Sequence, residues 1–168
     1  MPMEIRTAVA ADAEAIRQIY NLEVETSTST FDIVPRTLEQ QRTWLADRAG
    51  AFRAIVAVDA GVVLGFASLS PYKDRAAYNT TVEDSVYVRR DRQGAGIGRL
   101  LLAALLDVAT ASGFHAVMAR IEASGMGSRA LHERCGFELV GIEREVGRKF
   151  SRWLDIAVME CLLSPSPR

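Results

Sequence analysis

Residues 86–99 read VYVRRDRQGAGIGR, and LLLAALLDVA follows at 100–109. An apolar, β-branched run ends, a basic and glycine-rich turn intervenes, and an amphipathic helix pattern begins. Glycine lets main-chain N–H groups point at a ligand with no side chain in the way. With the positive end of the helix dipole, those groups form a site for phosphate oxygens. Arg89, Arg90, Arg92 and Arg99 add positive charge beside it. The turn runs Gly98-Arg99-Leu100, so it lacks the Gly-Lys-Ser/Thr ending of a triphosphate loop. Its spacing also departs from G-x-G-x-x-G, and it comes midway along the chain. Two readings remain: a phosphate-binding turn of another kind, or a turn that only redirects the chain.

The flanking sequence places this turn in a mixed α/β pattern. TTVEDSVYV (80–88) is the strand before it, and the helix after it runs from Gly98 to about Ser112, stopped by Gly113. HAVMARI (115–121) is the next strand, which completes a strand–helix–strand unit. Upstream, MEIRTAV (3–9) alternates as a short strand, and Asp12 is placed to cap a helix carrying Ile16, Ile19 and Tyr20. ETSTSTFDIVPRT (25–37) reads as a hydroxyl-rich loop, after which Thr37 opens a second helix. RAIVAV (53–58) and VVLGFASLS (62–70) are joined by Asp-Ala-Gly as a hairpin. Downstream, SGMGSRALHERCGF (124–137) holds a short helix, and ELVGIEREV (138–146) and RWLDIAVMECLL (152–163) are the closing strands. We expect a single domain over residues 1–163 and a frayed tail at 164–168.

Composition narrows the function classes. The chain has 168 residues, 49% of them hydrophobic and 24% charged, with a formal net charge of −1. That is ordinary for a globular domain and leaves no electrostatic footprint for nucleic acid or an anionic membrane. A small anionic ligand needs only a local patch. Cys135 and Cys161 are far apart in no metal-ligand spacing, which reads as two reduced thiols in a cytoplasmic protein and predicts no metal. The N-terminal stretch carries early acidic residues and no apolar core, unlike a signal peptide. No apolar run is long enough to span a bilayer.

Gln93-x-x-Gly96-x-Gly98 after a V-Y-V strand resembles the Q/R-x-x-G-x-G/A signature of GCN5-related N-acetyltransferases. PYKDRAAYNTTVEDSVYV (71–88) is similar to the P-W-K-x-R-x-x-Y…V-E-x-x-V-Y-V segment of phosphinothricin and methionine sulfoximine acetyltransferases. RALHERCGF (129–137) and VGRKFSRWLDIAVM (146–159) resemble two further segments of the same enzymes, in the same order. Tyr72 stands where they commonly have Trp, and Gly125 where they usually have Asn. The resemblance implies the acyl-CoA N-acyltransferase fold. That is a central, twisted, mostly antiparallel sheet with one parallel, splayed strand pair, flanked by helices. It implies acetyl-CoA as co-substrate, a small amino-acid-like acceptor and a homodimer.

Residue roles follow from the resemblance. The coenzyme pyrophosphate is expected on Gln93, Gly94, Ala95, Gly96, Ile97, Gly98 and Arg99. The pantetheine arm is expected along Val86, Tyr87 and Val88, with further coenzyme contacts from Gly125, Ser128 and Arg134. An α-amino group is largely protonated at neutral pH, so a base must take a proton before attack. Glu83 is that base by the resemblance; by its sequence alone it is equally a solvent-facing strand glutamate. His132 is the candidate proton donor to the departing thiolate, or a helix histidine with a structural hydrogen bond. Phe31, Lys73, Asp74, Arg75, Tyr78, Asp84 and Ser85 are expected around the acceptor with Glu83. Arg and Lys suit its carboxylate or phosphinate. Lys149, Phe150 and Trp153 either line that pocket or build a dimer contact. Direct transfer is favoured over a covalent intermediate, although Cys135 keeps the latter open. Two other readings stand: a related enzyme acting on protein N-termini or another amine, and a non-catalytic coenzyme A-binding module.

Overall fold

Alternating β-branched runs become strands and the leucine-rich stretch becomes the central helix in the computed structural model, which describes residues 3–163. The tail at 164–168 lies outside the described residues. The elements are β1 (Glu4–Thr7), α1 (Ala13–Thr26), α2 (Leu38–Ala46), β2 (Ala54–Asp59), β3 (Val62–Pro71), β4 (Thr81–Val88), α3 (Ile97–Ala111), β5 (Ala116–Glu122), α4 (Met126–Arg134), β6 (Glu138–Lys149) and β7 (Arg152–Leu162). They form one seven-stranded sheet in the order β1-β2-β3-β4-β5-β7-β6. Every neighbouring pair is antiparallel except β4–β5.

Side chains two apart share a sheet face, so each strand feeds two layers. On β2, Ile55 and Ala57 pack towards α3, against Leu101, Leu102 and Leu105. Val56 and Val58 pack the other way, with Phe66 of β3, against Ile16, Ile19 and Tyr20 of α1 and Leu45 of α2. Leu101, Leu102 and Leu105 are fully buried. Each such side chain contributes about 2 kcal/mol through burial. Truncating Leu102 to Ala is therefore expected to cost roughly 2–5 kcal/mol.

Two local expectations meet different outcomes. Thr37 caps α2 as expected, its side chain accepting from the Gln40 N–H. Asp12 does not cap α1 with its side chain. Its backbone is already helical, so the carboxylate reaches back, accepting from the Val9 N–H at 2.8 Å and pairing with Arg6. The sixth strand also outruns its expected end at Val146, continuing to Lys149 after an irregularity between Glu143 and Gly147.

Candidate active site

The parallel β4–β5 pairing is short. It joins Thr81 to Ala116, Val82 to Val117 and Glu83 to Met118, and there it ends. Yet β4 runs on to Val88 and β5 to Glu122. Beyond Glu83 the two strands part into a wedge, and the β5-facing main chain of β4 is left without a strand partner there. The turn that follows β4 carries Gly94 at φ +79° and Gly96 at φ +82°. L side chains rarely adopt this left-handed conformation, so two glycines within three residues are what let the chain turn directly into α3. Gly96 is the residue before α3, and its carbonyl accepts the Leu100 N–H. The N–H groups of Ile97, Gly98 and Arg99 precede that first helical bond and point out of the helix end. Gln93, Gly94, Ala95, Gly96 and Arg99 are exposed around them. A Cβ at Gly94 or Gly96 would meet nothing within 4 Å, so the space in front of the loop is open. The wedge and the loop together fit an elongated ligand that ends in phosphates. The arginines are only partly free for it, because Arg89 pairs with Asp91 at 2.8 Å and Arg90 with Glu23 at 2.9 Å.

Glu83 stands where the wedge opens. It is half-buried, and its carboxylate makes no hydrogen bond or ion pair among the described residues. Burial pushes its carboxyl above the usual carboxylate range; Arg120 opposes this and the Asp84 charge adds to it. Ser85 and Tyr87 share its face, and Tyr87 packs on Phe66 and Tyr20.

Asp84, expected near the acceptor, faces the other way, towards His132 of α4. Its carboxylate is buried against His132, with Oδ2 2.7 Å from Nε2. The His132 Nδ1 donates to the Ser128 carbonyl at 2.7 Å, so both ring nitrogens are engaged. Burial pulls the imidazolium pKa down, but the Asp84 hydrogen bond, its charge and the Ser128 carbonyl outweigh that, so the net shift is upward. No ring nitrogen is left to face a ligand in the wedge. The His132–Asp84 contact joins α4 to β4.

The polar loop between β3 and β4 is exposed at Lys73, Asp74, Arg75 and Tyr78. The Lys73 ammonium lies 4.8 Å from the Tyr72 ring centre and 5.2 Å from that of Tyr78. Gly125 is the residue before α4, while Ser128 and Arg134 are exposed on that helix.

Several residues with no assigned role prove to shape the opening. Between α1 and α2 the chain crosses the sheet as a strap. Thr28 donates to Glu122 of β5 at 3.1 Å. Thr30 is buried, its hydroxyl 3.0 Å from the Tyr20 hydroxyl and its carbonyl accepting from Lys149 of β6 at 2.9 Å. Glu23, at the C-terminal end of α1, takes Arg90 of the glycine turn and the Ser27 and Ser29 hydroxyls. Arg120 shares the Glu83 side of the sheet and forms an ion pair with Glu143 at 2.7 Å. The hydroxyl-rich composition of 25–37 is the one sequence signal that could have marked the strap.

Comparison with known proteins identifies the family. The acetyltransferase (GNAT) family pattern matches residues 16–137. The chain belongs to the GNAT acetyltransferase family. An L-methionine sulfoximine/L-methionine sulfone acetyltransferase of Pseudomonas aeruginosa is 41% identical over 99% of this chain and 98% of its own. A phosphinothricin N-acetyltransferase of Streptomyces coelicolor is 41% identical over 94% of this chain and 95% of its own. A GNAT superfamily phosphinothricin acetyltransferase of Sinorhizobium meliloti, solved in complex with acetyl-CoA, superposes with a TM-score of 0.92. It shares 37% identity and covers 98% of this chain and 90% of that one. The fold expected from the sequence is the GNAT fold, and acetyl-CoA is the coenzyme of this enzyme family. Among the described residues no group of three or more His, Cys, Asp or Glu is placed to hold a metal. No helix there is long and apolar enough to cross a membrane.

Proposed function

We propose that this GNAT enzyme acetylates the α-amino group of a small amino-acid-like acceptor. Methionine sulfoximine, methionine sulfone and phosphinothricin represent the class. The observation that carries this reading is Glu83, an unpartnered and half-buried carboxylate at the mouth of the β4–β5 wedge. Acetyl-CoA, when bound, supplies the activated acetyl thioester. The N–H groups of residues 97–99, with Gln93 to Gly96, hold its pyrophosphate at the α3 N-terminus. The free main chain of Val86, Tyr87 and Val88 runs beside its pantetheine arm, and Gly125, Ser128 and Arg134 border it from α4. Glu83 takes a proton from the acceptor ammonium, directly or through a water, and its raised pKa suits it to that task. Lys73, Arg75 and Tyr78 meet the acceptor's anionic end, Asp74 lies beside them, and Ser85 and Phe31 border the amine. The relatives named for methionine sulfoximine and phosphinothricin support this acceptor class.

A second copy of the chain is the partner this reading implies. Leu139, Val140, Ile142 and Val146 of β6, Phe150 of the β6–β7 turn and Trp153 of β7 are exposed apolar side chains, and they support a homodimer. The free thiols Cys135 and Cys161 are in keeping with the cytoplasm.

The test is an acceptor panel that follows thiol release from acetyl-CoA. Methionine sulfoximine, methionine sulfone or phosphinothricin should give turnover. Turnover only with peptide N-termini would overturn the acceptor class. Binding of acetyl-CoA with no turnover on any amine would overturn the enzyme reading.

A further inference from the structure

The irregularity in β6 brings Gly147 under the strap. An added Cβ at Gly147 would overlap the Phe31 ring, 2.7 Å from Cζ, 2.8 Å from Cδ2 and closer still to Cε2. Contacts under 3.0 Å essentially do not occur between real side chains, so the ring or the strand would have to move. The φ of Gly147 lies outside the left-handed region, so what this position needs is space and not backbone freedom.

Phe31 cannot easily give way by shifting the whole strap. The preceding residue, Thr30, is pinned on one side by the hydroxyl of Tyr20, whose ring packs edge-on against Tyr87 of β4. On the other side its carbonyl is held by the buried Lys149 ammonium of β6. Thr30 therefore links Tyr20, which packs on Tyr87 of β4, to Lys149 of β6, and Phe31 is the next residue along the strap. The ring is 39% exposed, so one face sits on Gly147 and the remainder looks into open space.

We propose that Gly147 is a specificity-determining position: by carrying no side chain it seats the Phe31 ring on β6, and that ring sets the size of acceptor admitted beside Glu83. The inference rests on the reading that this opening takes the acceptor amine. Gly147 acts through Phe31 and touches no reacting atom, so it is a positioning residue.

The test is a double-mutant cycle of G147A and F31A in the full-length enzyme, with methionine sulfone as the compact probe and phenylalanine as the bulky one. G147A should raise KM for methionine sulfone about tenfold, the scale of a change in a pocket's fit, with KM for acetyl-CoA within about twofold. The preference for the compact over the bulky probe in kcat/KM should fall by about the same factor. F31A should do likewise, and the double variant should be no worse than either single one, because both remove the same wall. An unchanged preference in G147A, multiplied losses in the double variant, or an equal rise in KM for acetyl-CoA would each overturn the proposal. If G147A does not fold, F31A and F31L decide it: an unchanged size preference in both overturns it. If the wild type acetylates neither probe, the proposed acceptor class fails. The cycle is then read on the amines the panel identifies, with the same outcomes.

Discussion

Glu83 and Asp84 are consecutive residues of one strand, and the sheet treats them in opposite ways. Glu83 faces the open side of the wedge, half-buried and unpartnered. Asp84 faces the α3–α4 layer, its side chain 2% exposed and 2.7 Å from His132. The two-residue period of a strand accounts for the split. An unpaired carboxylate persists only where water or a ligand reaches it, and a buried one needs a partner. One carboxylate is therefore available for chemistry and the other binds α4 to the sheet. The pair teaches that here charge alone says little about role and that the facing says most.

The largest effect should come from breaking the buried pair. Asp84→Ala leaves His132 Nε2 without an acceptor and is expected to cost about 3 kcal/mol, the low end for such a pair, since His132 can shed its proton. The sign with pH follows from the raised His132 pKa. The added stability is complete below the unfolded histidine pKa and fades as pH rises through the higher folded value. Urea unfolding of wild type and variant at about pH 6 and about pH 9 should show the larger gap at the lower pH. A gap that does not change with pH would show that the pair is neutral and would weaken the contrast with Glu83.

Changing the neighbour should do the reverse. Glu83→Gln is expected to lower kcat about a hundredfold, roughly 2.7 kcal/mol of barrier, with acetyl-CoA affinity nearly intact. Since burial raises the Glu83 pKa, the acid limb of kcat/KM should lie above the ordinary carboxylate range, and Gln should abolish it. The stability sign also differs. A folded pKa above the unfolded one means that the ionised form is disfavoured by folding at neutral pH, so Glu83→Gln should raise Tm slightly. A wild-type pH–rate profile in the variant would show that Glu83 is not the base. A fall in Tm would show that its carboxylate is structurally partnered.

What the sequence reveals and what it hides divide along the same physical line. The strand–glycine turn–helix unit is legible because its signals are local: period-two alternation in 80–88, glycines at the turn, and leucines at helical spacing. Glu83 and Ser85 fall on one face by that alternation. By the same rule Asp84 falls on the opposite face. The His132 partner is less legible, since Asp84 lies 48 residues earlier. The strap is hidden for the same reason: the Thr30 contact to Lys149 joins residues 119 apart and has no periodic signature. Gly147 looks like an ordinary strand glycine until the Phe31 ring is seen above it.

The smallest of these effects should fall on the loop that carries Lys73 and Arg75, and it extends the comparison from carboxylates to cations. The Lys73 ammonium lies within reach of both the Tyr72 and Tyr78 rings, so part of its charge already has a counterpart. Arg75 is exposed, and although its carbonyl accepts the Tyr78 N–H, its guanidinium makes no hydrogen bond, ion pair or ring contact among the described residues. If an unpartnered group is the one kept for a ligand, as at Glu83, then Arg75 rather than Lys73 should bear on the acceptor's carboxylate. Arg75→Ala is expected to raise KM for methionine sulfoximine about tenfold, the scale of one charge-assisted hydrogen bond at about 1.4 kcal/mol. An uncharged amine of similar size has no anion to lose and should be affected less than about twofold. Lys73→Ala should give the smaller loss of the two on methionine sulfoximine. Steady-state kinetics on the matched charged and neutral amines measure all of this. Equal losses on both amines would mean that Arg75 shapes the loop, and a larger loss from Lys73→Ala would break the rule drawn from Glu83 and Asp84.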